Sequence, residues 1–269
     1  MRTWFITGVS RGFGRLIAEH AVKAGDNVVG TARRPEELDE PVAASEGRLV
    51  ILPLDVTDRA AVFETVEKAA EAFGRIDVVV NNAGFGLMGA VEEVGEDDAR
   101  AIMETNFFGA LWVSQAVLPV LRKQGEGRIL QMSSVSGLMA VPTMGLYNAS
   151  KFALEGLSDA LAQEVEGFGI HVTLVEPRIY ATDFMGASLQ MSPMRPAYDP
   201  VRAALMAKYA DGVPGDPVKV AEAVLELVAS DAPPRRLLLG DGDFDVIVDL
   251  HRDRVAEWRS WEPVSRAAG

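Results

Sequence analysis

The sequence predicts an α/β fold, a doubly wound seven-stranded parallel sheet with helices on both faces, in a single domain. Three observations predict it. Short, mostly apolar strand-like runs alternate with helix-like runs from end to end, the pattern of a parallel sheet covered on both sides by right-handed crossovers. The chain has 269 residues, enough for one large α/β domain with a full core. The first strand-like run enters a glycine-rich turn that opens a helix, an arrangement that binds anions at the edge of such sheets.

The elements follow in order. Thr3–Thr7 is a short apolar strand, residues 16–24 a helix stopped by Gly25, and Asn27–Ala32 a valine-rich second strand. Residues 48–54 form a third strand, 60–73 a helix ended by Gly74, and 76–81 a fourth strand with three successive valines. A long helix is expected over 97–123, a fifth strand over 128–133, a helix over 146–166 and a sixth strand over 170–176. Pro217–Ala229 is the last expected helix, and 236–240 the seventh strand. Residues 178–215 break the rhythm. They are rich in Met, Pro and Gly without a strand pattern, as expected of a substrate-binding loop or lid. The domain thus divides into a cofactor-binding and catalytic core over 1–176, the loop over 178–215, and a C-terminal helix, last strand and tail over 216–269.

Composition narrows the function. Hydrophobic residues make up 48% and charged residues 24%, as in ordinary globular proteins. There is no cysteine, which excludes disulfides, thiolate catalysis and cysteine-held metals. The three histidines, His20, His171 and His251, are too scattered for a metal site. A formal net charge of −13 gives no general attraction to nucleic acid or an anionic membrane. No apolar run approaches the length of a membrane span. With the first strand at Thr3 there is no room for a signal peptide, so a cytoplasmic protein is expected.

The first turn reads Thr7-Gly8-Val9-Ser10-Arg11-Gly12-Phe13-Gly14. Glycine lets a pyrophosphate approach the backbone, and the helix start offers free N–H groups. The spacing, glycine, three residues, glycine, one residue, glycine, differs from the commoner dinucleotide fingerprint. Together with later motifs it resembles the classical branch of the short-chain dehydrogenase/reductase (SDR) family. The resemblance spans about residues 3 to 240 and implies a Rossmann-type domain with a nicotinamide dinucleotide.

The second strand ends Gly30-Thr31-Ala32-Arg33-Arg34. Ala32 stands where an NAD site commonly has an acid for the ribose 2′-hydroxyl. With two arginines following and Arg11 in the glycine turn, the cluster suits a 2′-phosphate instead, so NADP(H) is expected. Arg33 and Arg11 are the strongest candidates, with Arg34 turned to solvent. The resemblance further implies that Asp55, beside Val56, meets the adenine amino group. It also places Asn82, Ala83 and Gly84 of the Asn-Asn-Ala-Gly motif against the cofactor, along with Ser10, Phe13 and Pro177.

The catalytic expectation centres on Tyr147-Asn148-Ala149-Ser150-Lys151. Tyr147 and Lys151, four apart, share one helix face. A lysine ammonium lowers the high pKa of a phenol toward useful acid/base chemistry, and Lys151 can also hold the cofactor ribose. Ser134 ends the fifth strand thirteen residues before Tyr147, as the family's catalytic serine does. Its hydroxyl would steady a substrate oxygen, with Ser133 and Ser136 as alternatives. Asn106 is a poor helix former in mid-helix. The resemblance implies that it holds a water linking the lysine to solvent.

One departure stands out: the family's Pro-Gly after the sixth strand is Pro177-Arg178 here. Thr182 remains, to bind the carboxamide. Arg178 either faces solvent or meets a polar or anionic substrate group. Met88, Met139, Met144, Phe184 and Met185 suggest an adaptable apolar pocket for a hydrophobic carbonyl or alcohol substrate. The expected activity is NADP(H)-dependent reduction of a ketone or aldehyde, or oxidation of the corresponding secondary alcohol, with Tyr147 as acid/base. Two other functions fit the same family resemblance. A non-catalytic NADP(H)-sensing protein would usually lack the tyrosine or lysine, both present here. An epimerase or dehydratase would usually carry a larger C-terminal segment. The helices over 97–123 and 146–166 resemble those of the family's dimer and tetramer interfaces, so a homodimer or homotetramer is expected.

Overall fold

The computed structural model describes residues 1–210, 212–241 and 243–269, without the side chains of Asp39, Met185 and Asp243. The core sheet uses β1 (Thr3–Thr7), β2 (Asn27–Ala32), β3 (Leu49–Pro53), β4 (Val78–Asn81), β6 (Gly127–Met132), β7 (Ile170–Pro177) and β9 (Arg236–Leu239). These seven run parallel in the order β3-β2-β1-β4-β6-β7-β9. The two short strands β5 (Gly86–Met88) and β8 (Leu189–Met191) pair separately.

Residue alternation decides which face each side chain joins. Trp4, Ile6, Val28, Val78 and Val80 pack with α1 (Gly12–Lys23) and α8 (Pro217–Ala229). Phe5, Val29, Val79 and Ile129 pack on the other face with α3 (Arg59–Phe73), α5 (Gly109–Gln124) and α6 (Gly145–Val165). Both faces are apolar because both are covered, which explains why the strands read as unbroken hydrophobic runs.

The chain winds outward from β1 through β2 to β3, then returns to place β4 on the other side of β1. That reversal leaves a crevice at the carboxyl ends of β1 and β4, where open α/β sheets bind ligands.

Several expectations need correction. The helix expected over 97–123 is two helices, α4 (Glu96–Met103) and α5, joined by a π-turn over Glu104–Phe108. The π-turn is where Asn106 sits, and such turns gather at functional sites. The stretch 178–215 is not a strandless loop. It contains β8 and α7 (Asp199–Tyr209), a helix announced by Pro200 near its start. The tail beyond β9 is helical as α9 (Asp243–Ser260) and α10 (Glu262–Ala267), and α2 (Asp39–Ala44) had no expected counterpart.

Candidate active site

A cleft of about 610 Å³ opens at the crevice. Its walls take in Gly8, Ser10, Arg11, Gly12 and Phe13 at one end, then Arg33, Asp55 and Val56, then Asn82, Ala83 and Gly84. Ser134, Tyr147, Lys151, Pro177, Arg178 and Thr182 close the other end, with Met88, Met139, Met144 and Phe184 beside them. The fold thus gathers nearly every expected site residue. Gly14 and Asn106 stand behind the lining, and the side chain of Met185 lies outside the described set.

The glycine turn and the Asn-Asn-Ala-Gly turn form one bonded unit. Thr7 Oγ accepts from the N–H groups of Asn82 and Ala83, each at 3.0 Å. Asn82 Nδ2 donates to the carbonyls of Thr7 and Gly8, each at 2.9 Å. Asn82 therefore braces the turn against which a ligand would lie. Gly8 and Gly12 have φ of 73° and 60°, a region that favours glycine. A Cβ on Gly14 would run into the Asn82 side chain and the Gly8 carbonyl. α1 starts here with no side-chain cap and no acid in its first turn. Its leading N–H groups and positive dipole end are left for an anion, so the site fits a pyrophosphate.

Farther along, Ala32 is buried at the end of β2 while Arg33 and Arg11 are exposed at the cleft. Arg34 turns away to pair with Glu37 at 2.9 Å. Asp55 accepts at one oxygen from Thr57 N–H (3.0 Å) and Thr57 Oγ (2.8 Å), which fixes the carboxylate at the rim.

At the other end Tyr147 and Lys151 lie on α6, both buried. Burial pushes the Tyr147 phenol up to about 12, and a hydrogen bond with the Ser134 hydroxyl holds it back from going further. Lys151 Nζ donates to the Met132 carbonyl at 2.7 Å and lies 5.7 Å from the centre of the Tyr147 ring. Burial brings its ammonium down to about 8, while the negative charge of Glu155 pulls the other way. The single Ser134 hydroxyl hydrogen also has the Pro177 carbonyl within reach at 3.4 Å as a competing acceptor, and Ser134 Oγ accepts from Ser136 N–H at 3.1 Å. Of the alternative serines, Ser133 donates instead to Glu155 at 2.5 Å.

Asn106 Nδ2 donates to the Phe85 carbonyl (3.0 Å) and Ser150 Oγ (3.2 Å), and Oδ1 accepts from Phe85 N–H (3.0 Å). It thereby ties the π-turn to the loop after β4 and to α6. Thr182 caps the turn Asp183–Met185 by accepting from Phe184 N–H at 3.3 Å. The Phe184 ring lies 5.4 Å from that of Tyr147, so the segment after β7 reaches over the Tyr147 end of the cleft. Arg178 is half-buried. Its Nη1 donates to the Asp241 carbonyl at 2.8 Å, and its stem lies against Gly240, where a Cβ would come within 2.8 Å of the Arg178 Cβ. The absence of a side chain at Gly240 thus makes room for the arginine that replaces the usual glycine.

Four supporting groups were not visible in the sequence reading: Thr7, Ser150, the buried cluster of Glu155 and Glu176 with Arg236, and the ion pair of Glu93 with Arg202. Arg236 Nε lies 3.0 Å from Glu155 and 3.4 Å from Glu176, and Nη2 lies 2.6 Å from Asp159. Only the i, i+4 spacing of Lys151 and Glu155 hinted at this. Glu93 has a fully buried side chain that receives Arg202 Nη1 at 2.9 and 3.0 Å and Arg195 N–H at 2.6 Å. These contacts bind α7 to the body. They join segments over a hundred residues apart, which no local pattern signals.

The short chain dehydrogenase family model matches residues 2–192. Oxidoreductase BOA17 of Botryotinia fuckeliana is 42% identical over 99% of both chains. A short-chain dehydrogenase from Streptomyces avermitilis is 41% identical, with a TM-score of 0.92 over 100% of this chain and 98% of its own. A serine dehydrogenase solved with NADP+ is 27% identical, with a TM-score of 0.77 over 88% of this chain and 94% of its own. The cleft, the sheet and these likenesses agree, and the chain belongs to the short-chain dehydrogenase family of oxidoreductases.

Proposed function

We propose that the protein is an NADP(H)-dependent reductase of a hydrophobic ketone or aldehyde, also able to oxidise the corresponding secondary alcohol. The observation that carries this reading is buried Tyr147 one helical turn from buried Lys151, with Ser134 beside them in the lining, at the far end of a cleft that starts on an uncapped helix N-terminus.

The bound cofactor would supply the hydride. Arg11 and Arg33, neither of them in an ion pair among the described residues, would hold the 2′-phosphate. Each charge-assisted bond contributes about 1.5–3 kcal/mol, a preference of roughly ten- to a hundredfold over NADH. The NADP+ bound in the serine dehydrogenase relative is in keeping with that choice. Asp55, Ala83 and Gly84 would border the adenine and ribose, and Pro177 and Thr182 the nicotinamide.

Tyr147 would donate the proton from its hydroxyl to the forming alkoxide. Ser134 would donate a hydrogen bond to the same oxygen. The Lys151 charge would stabilise the phenolate left behind, which matters because burial alone makes that phenolate costly. Both amide hydrogens of Asn106 are committed to Phe85 and Ser150, so the water-linking role falls to its remaining acceptor capacity. Met88, Met139, Met144 and Phe184 would hold the apolar part of the substrate, and Arg178 would border its outer end. A homodimer or homotetramer through α5 and α6 belongs to the same reading, and Phe152 on α6 is 39% exposed there. Among the described residues no helix is long and apolar enough to cross a membrane.

The test is NADPH oxidation against a panel of ketones and aldehydes, with NADH in parallel and Arg33→Ala beside the native chain. The expected result is turnover that prefers NADPH, with the preference falling roughly ten- to a hundredfold in Arg33→Ala. Equal use of both cofactors by the native chain would remove the 2′-phosphate assignment.

A further inference from the structure

A second gap, of about 480 Å³, lies between the lid helix α7 and the segment 139–142. We propose that it is a distal subsite for the far end of an extended hydrocarbon ketone whose carbonyl sits at Tyr147 and Ser134. The inference rests on the reductase reading above and adds to it the substrate's class.

Val201, Ala204, Leu205, Lys208 and Tyr209 border the gap. Their spacing of three and four residues puts them on one helix face. No residue of α7 is buried and Val201 is 40% exposed, so the chain leaves that mostly apolar face uncovered. Opposite stand four consecutive residues without polar side chains, Met139 through Pro142. Among the described residues of the lining Lys208 alone carries a charge, so a hydrocarbon is the chemistry the gap takes.

Two apolar walls would ordinarily close on each other. Here both are pinned. Arg202 ties α7 to the buried Glu93. Asn148 Nδ2 donates to the Val141 carbonyl at 2.9 Å. Thr143, a β-branched residue with φ of 63°, fixes the end of the same segment in a backbone region such residues rarely adopt. A strained residue held by its surroundings beside a cleft is a feature of ligand sites.

The gap also adjoins the main cleft. Met139, Val141, Leu205 and Tyr209 border both. A dinucleotide laid from the glycine turn to Tyr147 takes the length of the main cleft. The lid end is what remains for substrate, and a long substrate continues past these four residues. The gap lies within the size range of small-molecule pockets.

The test is a series of methyl ketones of increasing chain length together with a rigid fused-ring ketone, assayed with NADPH. Each methylene buried should raise kcat/KM about fourfold, the equivalent of roughly 0.8 kcal/mol. Ala204→Trp, at an exposed helix position, fills the gap, and Val201→Asp makes it polar. In both, the ratio of long- to short-ketone kcat/KM should fall by more than tenfold. A rise with chain length alone identifies an alkyl tail, and a preference for the fused ring a rigid one. A ratio unchanged in both variants overturns the subsite. Should no ketone be reduced, the reductase reading fails, and calorimetry with a long-chain secondary alcohol and NADP+ decides the subsite separately. Binding weakened by Ala204→Trp supports it, and no binding, or binding indifferent to the substitution, overturns it.

Discussion

Tyr147 and Lys151 are each poorly suited to the proposed proton transfer when taken alone. Burial raises the phenol to about 12 and lowers the ammonium to about 8, so each is pushed toward its neutral form. Their proximity makes the pair useful, since one charge stabilises the other. In the proposed reduction the active form would carry protonated Tyr147 and charged Lys151. The kcat/KM for a ketone should therefore fall as pH rises through about 8, where Lys151 loses its proton. Lys151→Met should lower the rate and abolish that limb. A pH profile unchanged in the variant would contradict the assignment. The placement of these two residues, Ser134 and the glycines about one cleft was legible in the sequence because they stand in motifs of fixed spacing. Asn106 was legible as a residue at odds with a helix, and the π-turn is the physical cause. The braces Thr7, Ser150 and Glu155 were not, because threonine, serine and glutamate at those points look like ordinary strand and helix residues until the fold brings their partners close.

At the scale of elements, the strands and the helices packed on the sheet were readable from apolar period and helix stops. The lid was not. β8 has three residues, and α7 buries none of its own, so neither shows the pattern of a core element. What holds α7 is the Glu93–Arg202 pair. The N–H of Arg195, then that of Ala90 and the Arg202 guanidinium, hold the Glu93 carboxyl down at about 2 against the cost of burial. The pair therefore stays charged across the working range. Glu93→Gln should loosen the lid without touching the cofactor end. We expect KM for the carbonyl to rise about tenfold, the size of one charge-assisted bond, with KM for NADPH nearly unchanged. Steady-state kinetics check this, and equal changes in both constants would show general damage instead. The tail beyond β9 was unreadable for a related reason, since α9 is largely exposed and its charges obscure its period.

At the scale of the whole molecule, the winding that places β4 beside β1 brings the glycine turn, the Asn-Asn-Ala-Gly turn and the helix that carries Tyr147 and Lys151 to one edge. It also buries Glu155 and Glu176 together at the floor of the site. Burial, then the charge of Glu155, pushes the Glu176 carboxyl above the usual range, with Arg236 opposing. The native state thus holds a proton that the unfolded chain releases. That contribution to stability is whole below the ordinary glutamate value near 4.3 and is lost as pH rises through the raised native one. Glu176→Gln should raise Tm by a few degrees at pH 8 and change it less at pH 5. A Tm lowered equally at both would contradict the sign. In the proposed reaction the molecule passes hydride to a carbonyl with Tyr147 as its acid. The most direct test is single-turnover reduction of a ketone by NADPH deuterated at the transferring position, for the native chain and Tyr147→Phe. Deuterium should appear on the carbinol carbon with the native chain. In Tyr147→Phe the rate should fall by about a hundred- to ten-thousandfold, with NADPH binding preserved. Native-like transfer by Tyr147→Phe, or no transfer by the native chain to any ketone, would contradict the account.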